Sequence, residues 1–317
     1  MVKIENLVKS YGKCKALNGL SMEIDKGELF GFIGSNGAGK TTTIKIMTGL
    51  LKADSGHVYL DGREALKDVD SLKQKIGYVP DFFGVYDNLK AIEYMEFYAS
   101  TYGLQGNEVK QRCYELMEQV GLEGRSEVYV DELSRGMQQR LCLARAMIHK
   151  PELLILDEPA SGLDPRSRFE MKIILKELCR KGTTILISSH ILSELAEMCS
   201  SIGIIKKGRL LQQGSIEEIV SVVNTANPIL LRVCDDQKKT LDFLRANPLV
   251  QTLAIDGQEF QFTFTGSAQE EVKLLRDMVT QGIHVISFGR KRDNLETIFM
   301  QLTKEGDEAD VKSGIRE

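Results

Sequence analysis

The chain contains no tryptophan, only six prolines, and no apolar run that approaches the ~18–20 residues needed to cross a bilayer. Any membrane-embedded part of the system it serves must belong to another chain. The amino terminus shows no basic-then-apolar export signal, which predicts a cytoplasmic protein. Its six cysteines, Cys14, Cys113, Cys142, Cys179, Cys199 and Cys234, form no Cys-x-x-Cys pair. That spacing argues against a zinc site or a disulfide frame and fits reduced thiols. A basic surplus is missing as well: 45 acidic residues outnumber 41 basic ones, a formal net charge of −4. No partnership with nucleic acid is expected. The dense basic triplet Arg290-Lys291-Arg292 reads as a solvated strand end rather than a membrane or partner contact. What is present is 42% hydrophobic residues over 317 positions, enough for two ordinary cores.

The densest chemical signal is Gly34-Ser35-Asn36-Gly37-Ala38-Gly39-Lys40-Thr41, a match to G-x-x-x-x-G-K-[ST]. Its context agrees, because Glu28 to Ile33 reads as a buried strand and Thr42 to Leu50 as a helix. Glycines let the backbone curl so that successive N–H groups and the helix start point at one anion. Lys40 would reach the terminal phosphates and the Thr41 hydroxyl would face Mg²⁺. The implied ligand is a nucleoside triphosphate.

Downstream, Leu153-Leu154-Ile155-Leu156-Asp157-Glu158-Pro159 is an apolar run suited to a central parallel strand ending in two carboxylates. Neighbours on a strand point opposite ways. Asp157 can therefore support Mg²⁺ while Glu158 faces the nucleotide, where a carboxylate can orient or deprotonate the attacking water.

Between these motifs lies Leu133-Ser134-Arg135-Gly136-Met137-Gln138-Gln139-Arg140, with Leu141, Ala144, Met147 and Ile148 at helical spacing. Ser134 is the expected N-cap. Here the chain resembles the ABC ATPases, whose signature Leu-Ser-Gly-Gly-Gln precedes the Asp-Glu strand; the likeness spans roughly residues 1 to 222. The resemblance implies that Ser134 and Gly136 contact the γ-phosphate held by a second ABC subunit, identical or not, so that ATP joins two cassettes. It makes Ser161-Gly162-Leu163-Asp164 the loop along the dimer seam (the D-loop) and His190, after the β-branched run Thr183 to Ser189, the γ-phosphate sensor. Tyr11 falls at the family's adenine-stacking position, with a surface tyrosine on an early hairpin as the other reading. His57, His149 and His284 read as structural.

Three positions depart from the common pattern. Asp81 stands after Tyr78-Val79-Pro80 where the family usually has Gln, and a carboxylate can approach Mg²⁺ or its water but cannot donate a hydrogen bond. Arg135 replaces Gly and Met137 replaces Gln. Both resemble variants in drug-, sodium- and polysaccharide-exporter ATPases.

The expected fold is α/β: a P-loop ABC ATPase core over residues 1–222, built on a mixed sheet, with a helical subdomain at about 85–150. Helices are expected through Leu89 to Met95 and Val109 to Met117. The aromatic cluster Phe82, Phe83 and Tyr86 stands at the entrance of that subdomain, either receiving a membrane partner's coupling helix or packing in the core. After Asn224 to Pro228 the pattern changes to strand, helix, hairpin over Asp256-Gly257, helix and strand. This is a ferredoxin-like βαββαβ domain within residues 228–304. A helix from Leu295 to Thr303 and a charged, disordered tail at 305–317 close the chain.

The function expected is an ATP-hydrolysing subunit, peripheral on the cytoplasmic face, that dimerises on ATP and drives a separate multi-span permease, an exporter. The rivals are a soluble ABC ATPase acting on ribosomes or DNA and a ligand-regulated ATP-gated module. One phosphate loop and the lack of long heptad coils between Lys40 and Asp157 count against the first of these.

Overall fold

The computed structural model describes residues 1–82, 84, 88–219, 228–234, 237–257 and 259–290. Phe83, Tyr86, Lys291, Arg292, the helix expected at 295–303 and the tail at 305–317 lie outside the described residues. The described chain divides into two compact units between Ile216 and Glu217.

In the first unit, β1 (Val2–Tyr11) and β2 (Cys14–Ile24) pair antiparallel. With β4 (Ser55–Leu60) and β5 (Arg63–Glu64) they form a four-stranded sheet in the order β2-β1-β4-β5. The buried side chains of these strands, including Ile4, Leu7, Leu20 and Val58, share one cluster with Phe30, Ile44, Ile155 and Leu186. The sequence pattern predicts a single mixed sheet for these strands. The structure instead forms two, because the inward residues of the antiparallel sheet cover one side of a second, larger one.

That larger sheet has the order β10-β9-β3-β8-β7-β6. Its strands are β3 (Leu29–Ile33), β6 (Ile76–Val79), β7 (Leu153–Asp157), β8 (Thr184–Ser189), β9 (Ser201–Lys206) and β10 (Arg209–Ser215). Every residue of β3, β7 and β8 is buried, which is why β3 and β7 are nearly continuous apolar runs and β8 carries Ile185-Leu186-Ile187 at its centre rather than an alternation. All pairs are parallel except β9 with β10. Register decides where the chemistry goes. Ile33 lies opposite Ser189, Asp157 opposite Ser188, and Val79 opposite Leu156. The carboxyl ends of four strands are therefore flush, and the loops that follow them converge at one edge, the usual ligand position in open parallel sheets.

Helices α1 (Lys40–Met47) and α2 (Val69–Lys75) precede β6. Three more, α3 (Ala91–Thr101), α4 (Asn107–Gln119) and α5 (Arg135–Ala146), intervene between β6 and β7. The α3 helix starts two residues later than the apolar spacing suggests. The Glu93 carboxylate accepts the Lys90 amide at 2.9 Å and closes the helix start, while the Leu89 carbonyl accepts from the Val130 amide at 3.0 Å. After β7 come α6 (Pro165–Arg180) and α7 (Leu192–Ala196). No described helix is long and apolar enough to cross a membrane.

The second unit runs β11 (Ile229–Val233), α8 (Gln237–Ala246), β12 (Val250–Asp256), β13 (Glu259–Phe264), α9 (Ala268–Thr280) and β14 (Val285–Arg290). Its antiparallel sheet has the order β12-β13-β11-β14. Ile229, Leu231, Phe260 and Phe262 from one sheet face pack with Leu244, Leu274 and Met278 from the two helices. Arg290 is not the solvated charge expected at this strand end: its guanidinium holds Glu271 of α9 at 2.8–2.9 Å, and the pair is about four-fifths buried.

Candidate functional site

The loop from Gly34 to Gly39 joins the last residue of β3 to the first of α1. Only glycine fits at its end. Gly39 has φ +114°, and a Cβ there would come 2.8 Å from the Ala16 carbonyl of β2. The loop is tightened by the Ala38 amide donating to Ser35 O at 3.0 Å. No side chain caps α1, so the backbone donors at its start face the open side of the loop. Lys40 is buried, with its Nζ donating to Gly34 O at 2.6 Å and to Ser35 O at 3.4 Å.

Across from the loop, Asp157 ends β7 and is only 2% exposed. The Ser188 hydroxyl on β8 donates to Asp157 Oδ1 at 2.6 Å and accepts the Glu158 amide at 3.0 Å. One serine thus fixes both carboxylate positions. Glu158 adopts φ +50°, a left-handed conformation uncommon for a side-chain-bearing residue. The turn aims its carboxylate away from Asp157 and between Lys40 and His190. Oε1 stands 3.4 Å from Lys40 Nζ and Oε2 2.9 Å from His190 Nδ1.

A cavity of about 460 Å³ opens over these groups. It is lined by Ser35, Asn36, Gly37, Gly39, Lys40, Thr41 and Thr42 from the loop and α1, and by Asp81, Glu158, Ser161 and His190 from the other strand ends. Cys14 and Ala16 complete one wall. Gly34 and Ala38 lie behind the wall as buried backbone, and Asp157 lies beneath it. Tyr11 is exposed on the same hairpin as Cys14 but does not line the cavity; Lys9 Nζ stands 5.9 Å over its ring. Burial, and then the charges of Asp157 and Glu158, hold the Asp81 carboxyl above its ordinary range, with Arg135 and His190 opposing them.

Ser134 and Gly136 are not among the cavity's lining residues. Ser134 caps α5 by accepting the Met137 amide at 3.3 Å. Gly136 packs so closely on the start of α6 that a Cβ would meet Ser167 Oγ at 2.4 Å. Ser188 had no assigned role in the sequence reading. The signal available for it was a hydroxyl near the end of a β-branched strand; register on β8 sets it opposite Asp157.

The arrangement is an anion cradle facing a carboxylate braced by a lysine and an imidazole, which is suited to phosphoryl transfer to water. Comparisons with known proteins agree. The pattern of the ABC transporter family matches residues 17–161. The linearmycin resistance ATP-binding protein of Bacillus subtilis is 35% identical, over 96% of this chain and 98% of its own. The bacitracin transport ATP-binding protein of Bacillus licheniformis is 34% identical, over 95% and 97%. The chain belongs to the ABC transporter ATP-binding family.

As an ABC cassette it is an ATP-binding, ATP-hydrolysing subunit of a transporter. The Nod factor export ATP-binding protein I of Ralstonia nicotianae is 30% identical over 96% of the cassette chain and 94% of its own. A bacterial ABC transporter cassette solved as a dimer superposes with a TM-score of 0.62, at 28% identity, over 68% of this chain and 99% of that one. A second solved ATP-binding subunit of an ABC transporter gives 0.63 at 30% identity, over 70% and 93%.

Proposed function

We infer that this cassette powers export through a separate multi-span permease at the cytoplasmic face of the membrane, working with a second ABC subunit that closes on ATP. The observation that carries the reading is the Glu158 carboxylate held between Lys40 and His190 at the flush strand ends. The names of the relatives, which concern linearmycin and bacitracin resistance or transport and Nod factor export, support the export direction.

In this reading the amides of Gly34 to Gly39 and the start of α1 hold the triphosphate, with Lys40 leaving Gly34 O for the terminal phosphates. Glu158 takes the proton of the attacking water, and His190 both orients Glu158 and senses the γ-phosphate. Ser134 and Gly136 face the nucleotide of the second subunit. Tyr11 swings over the adenine. Phe82, which is 83% exposed, offers an apolar contact to the permease.

The oxygens of Thr41 and Asp157, with Asp81 beside them, are hard donors that suit Mg²⁺ and leave positions for phosphate and water. Bound there, the ion would neutralise phosphate charge. We further assign residues 1–222 to nucleotide handling, 228–304 to an accessory α+β domain, and 305–317 to a charged tail.

The test is to purify tagged Glu158→Gln protein with Mg-ATP from detergent-solubilised native membranes. A stoichiometric multi-span membrane protein is the expected companion. Ribosomal or DNA-associated proteins in its place would move the chain to the soluble branch of the family.

A further inference from the structure

The loops that follow β7 and β8 are joined at two places. At the near end His190 Nδ1 stands 2.9 Å from Glu158 Oε2. At the far end the link is Arg168, one turn into α6, whose Nε donates to the Leu163 carbonyl at 2.9 Å and whose Nη1 donates to Glu194 Oε1 at 2.9 Å. Leu163 belongs to the D-loop, five residues after Glu158, and Glu194 lies on α7, four residues after His190. The protein therefore forms a closed circuit. It runs from Glu158 along the D-loop to Leu163, across Arg168 to Glu194, and back along α7 to His190.

Packing alone does not set how far apart the two loops stand. A second cavity of about 130 Å³ lies inside the circuit, between Pro159, Ser161 and Gly162 on one side and Ser189, Ile191 and Leu195 on the other. That is several times the ~30 Å³ a water molecule occupies in the liquid. Arg168 can act as a spacer across this gap because its own base is fixed. Asp164 caps α6 by accepting the Arg166 and Ser167 amides at 3.0 Å each. The guanidinium then presents two donors in one rigid plane, a geometry that a lysine ammonium lacks. The Arg168 side chain is 44% exposed and that of Glu194 18%, so the ion pair adds little to stability. Its consequence is where the loops sit rather than whether the chain folds.

We propose that Arg168 is a positioning residue for hydrolysis. By tying Leu163 to Glu194 it holds the His190 loop against Glu158. The inference rests on the reading of Glu158 and His190 as the hydrolysis machinery.

The test is ATP turnover measured against ATP concentration on the full chain, for the parent, Arg168→Gln, Glu194→Ala and the double variant. Each single change should lower kcat about fivefold, as expected for one exposed ion pair and its companion hydrogen bond. KM for ATP should stay within about twofold, because the phosphate loop and Lys40 are untouched. The double variant should fall little further than the weaker single variant, since the second change finds the tie already broken. A kcat equal to the parent's in Arg168→Gln, single losses that multiply in the double variant, or a raised KM with unchanged kcat overturns the tie. Thermal melting checks folding. Should Arg168→Gln fail to fold, Glu194→Ala decides alone, because it leaves α6 intact and must still lower kcat without moving KM. Glu158→Gln assayed alongside separates the two levels. Unchanged turnover in that variant removes the site reading, whereas parent-like kcat in Arg168→Gln beside a slowed Glu158→Gln removes only the tie.

Discussion

Ser188 shows how much of the site's precision depends on a residue that never touches the cavity. Its hydroxyl donates to Asp157 and accepts from the Glu158 amide, so a single side chain on β8 sets the geometry of the end of β7. Replacing it with alanine leaves a buried carboxylate oxygen and a partly buried amide without this partner, a loss of ~1–3 kcal/mol. Ser188→Ala should therefore lower ATP turnover by roughly tenfold to a hundredfold while the protein remains folded, as steady-state hydrolysis and a thermal melt would check. Turnover unchanged from the parent would mean that the backbone alone positions the carboxylates. Lys40, Asp157 and Glu158 are legible in the sequence because each belongs to a motif of fixed spacing next to a strand, and His190 through its place at a strand end and the family resemblance. Ser188 is not, since a serine closing a β-branched run looks like ordinary strand filler until register sets it opposite Asp157.

At the scale of elements, Gly39 is where strand, loop and helix depend on one backbone conformation. Alanine there would need φ +114° and would press on the Ala16 carbonyl, so Gly39→Ala should destabilise the protein by about 1–3 kcal/mol. Denaturant unfolding measures that loss. A melt with excess ATP should show that the nucleotide-dependent rise is also gone, a rise worth ~2.7 kcal/mol when ligand is at a hundred times Kd. A variant that keeps both stability and the ATP shift would contradict the tight approach to β2. In the other unit, Ser267 caps α9 by accepting the Glu270 amide, and the Glu270 carboxylate accepts the Ser267 amide at 2.7 Å. Ser267→Ala should cost ~1 kcal/mol in the unfolding of that unit. A helix that keeps its stability without the serine would mean that Glu270 alone closes it. Most helices and strands with strong apolar periodicity were legible to within two or three residues, α9 at both ends, but α3 runs six residues past the expected Met95 to Thr101. The start of α3 moved because a side chain intervened, the Glu93 carboxylate accepting the Lys90 amide. Separation of the amino-terminal strands into their own sheet was not legible, because alternation names a strand but not its neighbours.

For the molecule as a whole, the flush ends of β3, β6, β7 and β8 make one edge carry the phosphate loop, Asp81, Glu158 and His190 together. Family membership follows from the chain's full length, since the named relatives match over 95% or more of it. The βαββαβ order of the second unit was readable from alternating strand and helix patterns, but its strand neighbours and the burial of Arg290 against Glu271 come from packing alone. The central claim is that hydrolysis depends on Glu158 as the base at this edge. Its most direct test is the ATP turnover of purified Glu158→Gln against the parent, at saturating Mg-ATP. The account predicts a fall of ~10²–10⁴, the usual contribution of a general base. Turnover equal to the parent's would contradict it.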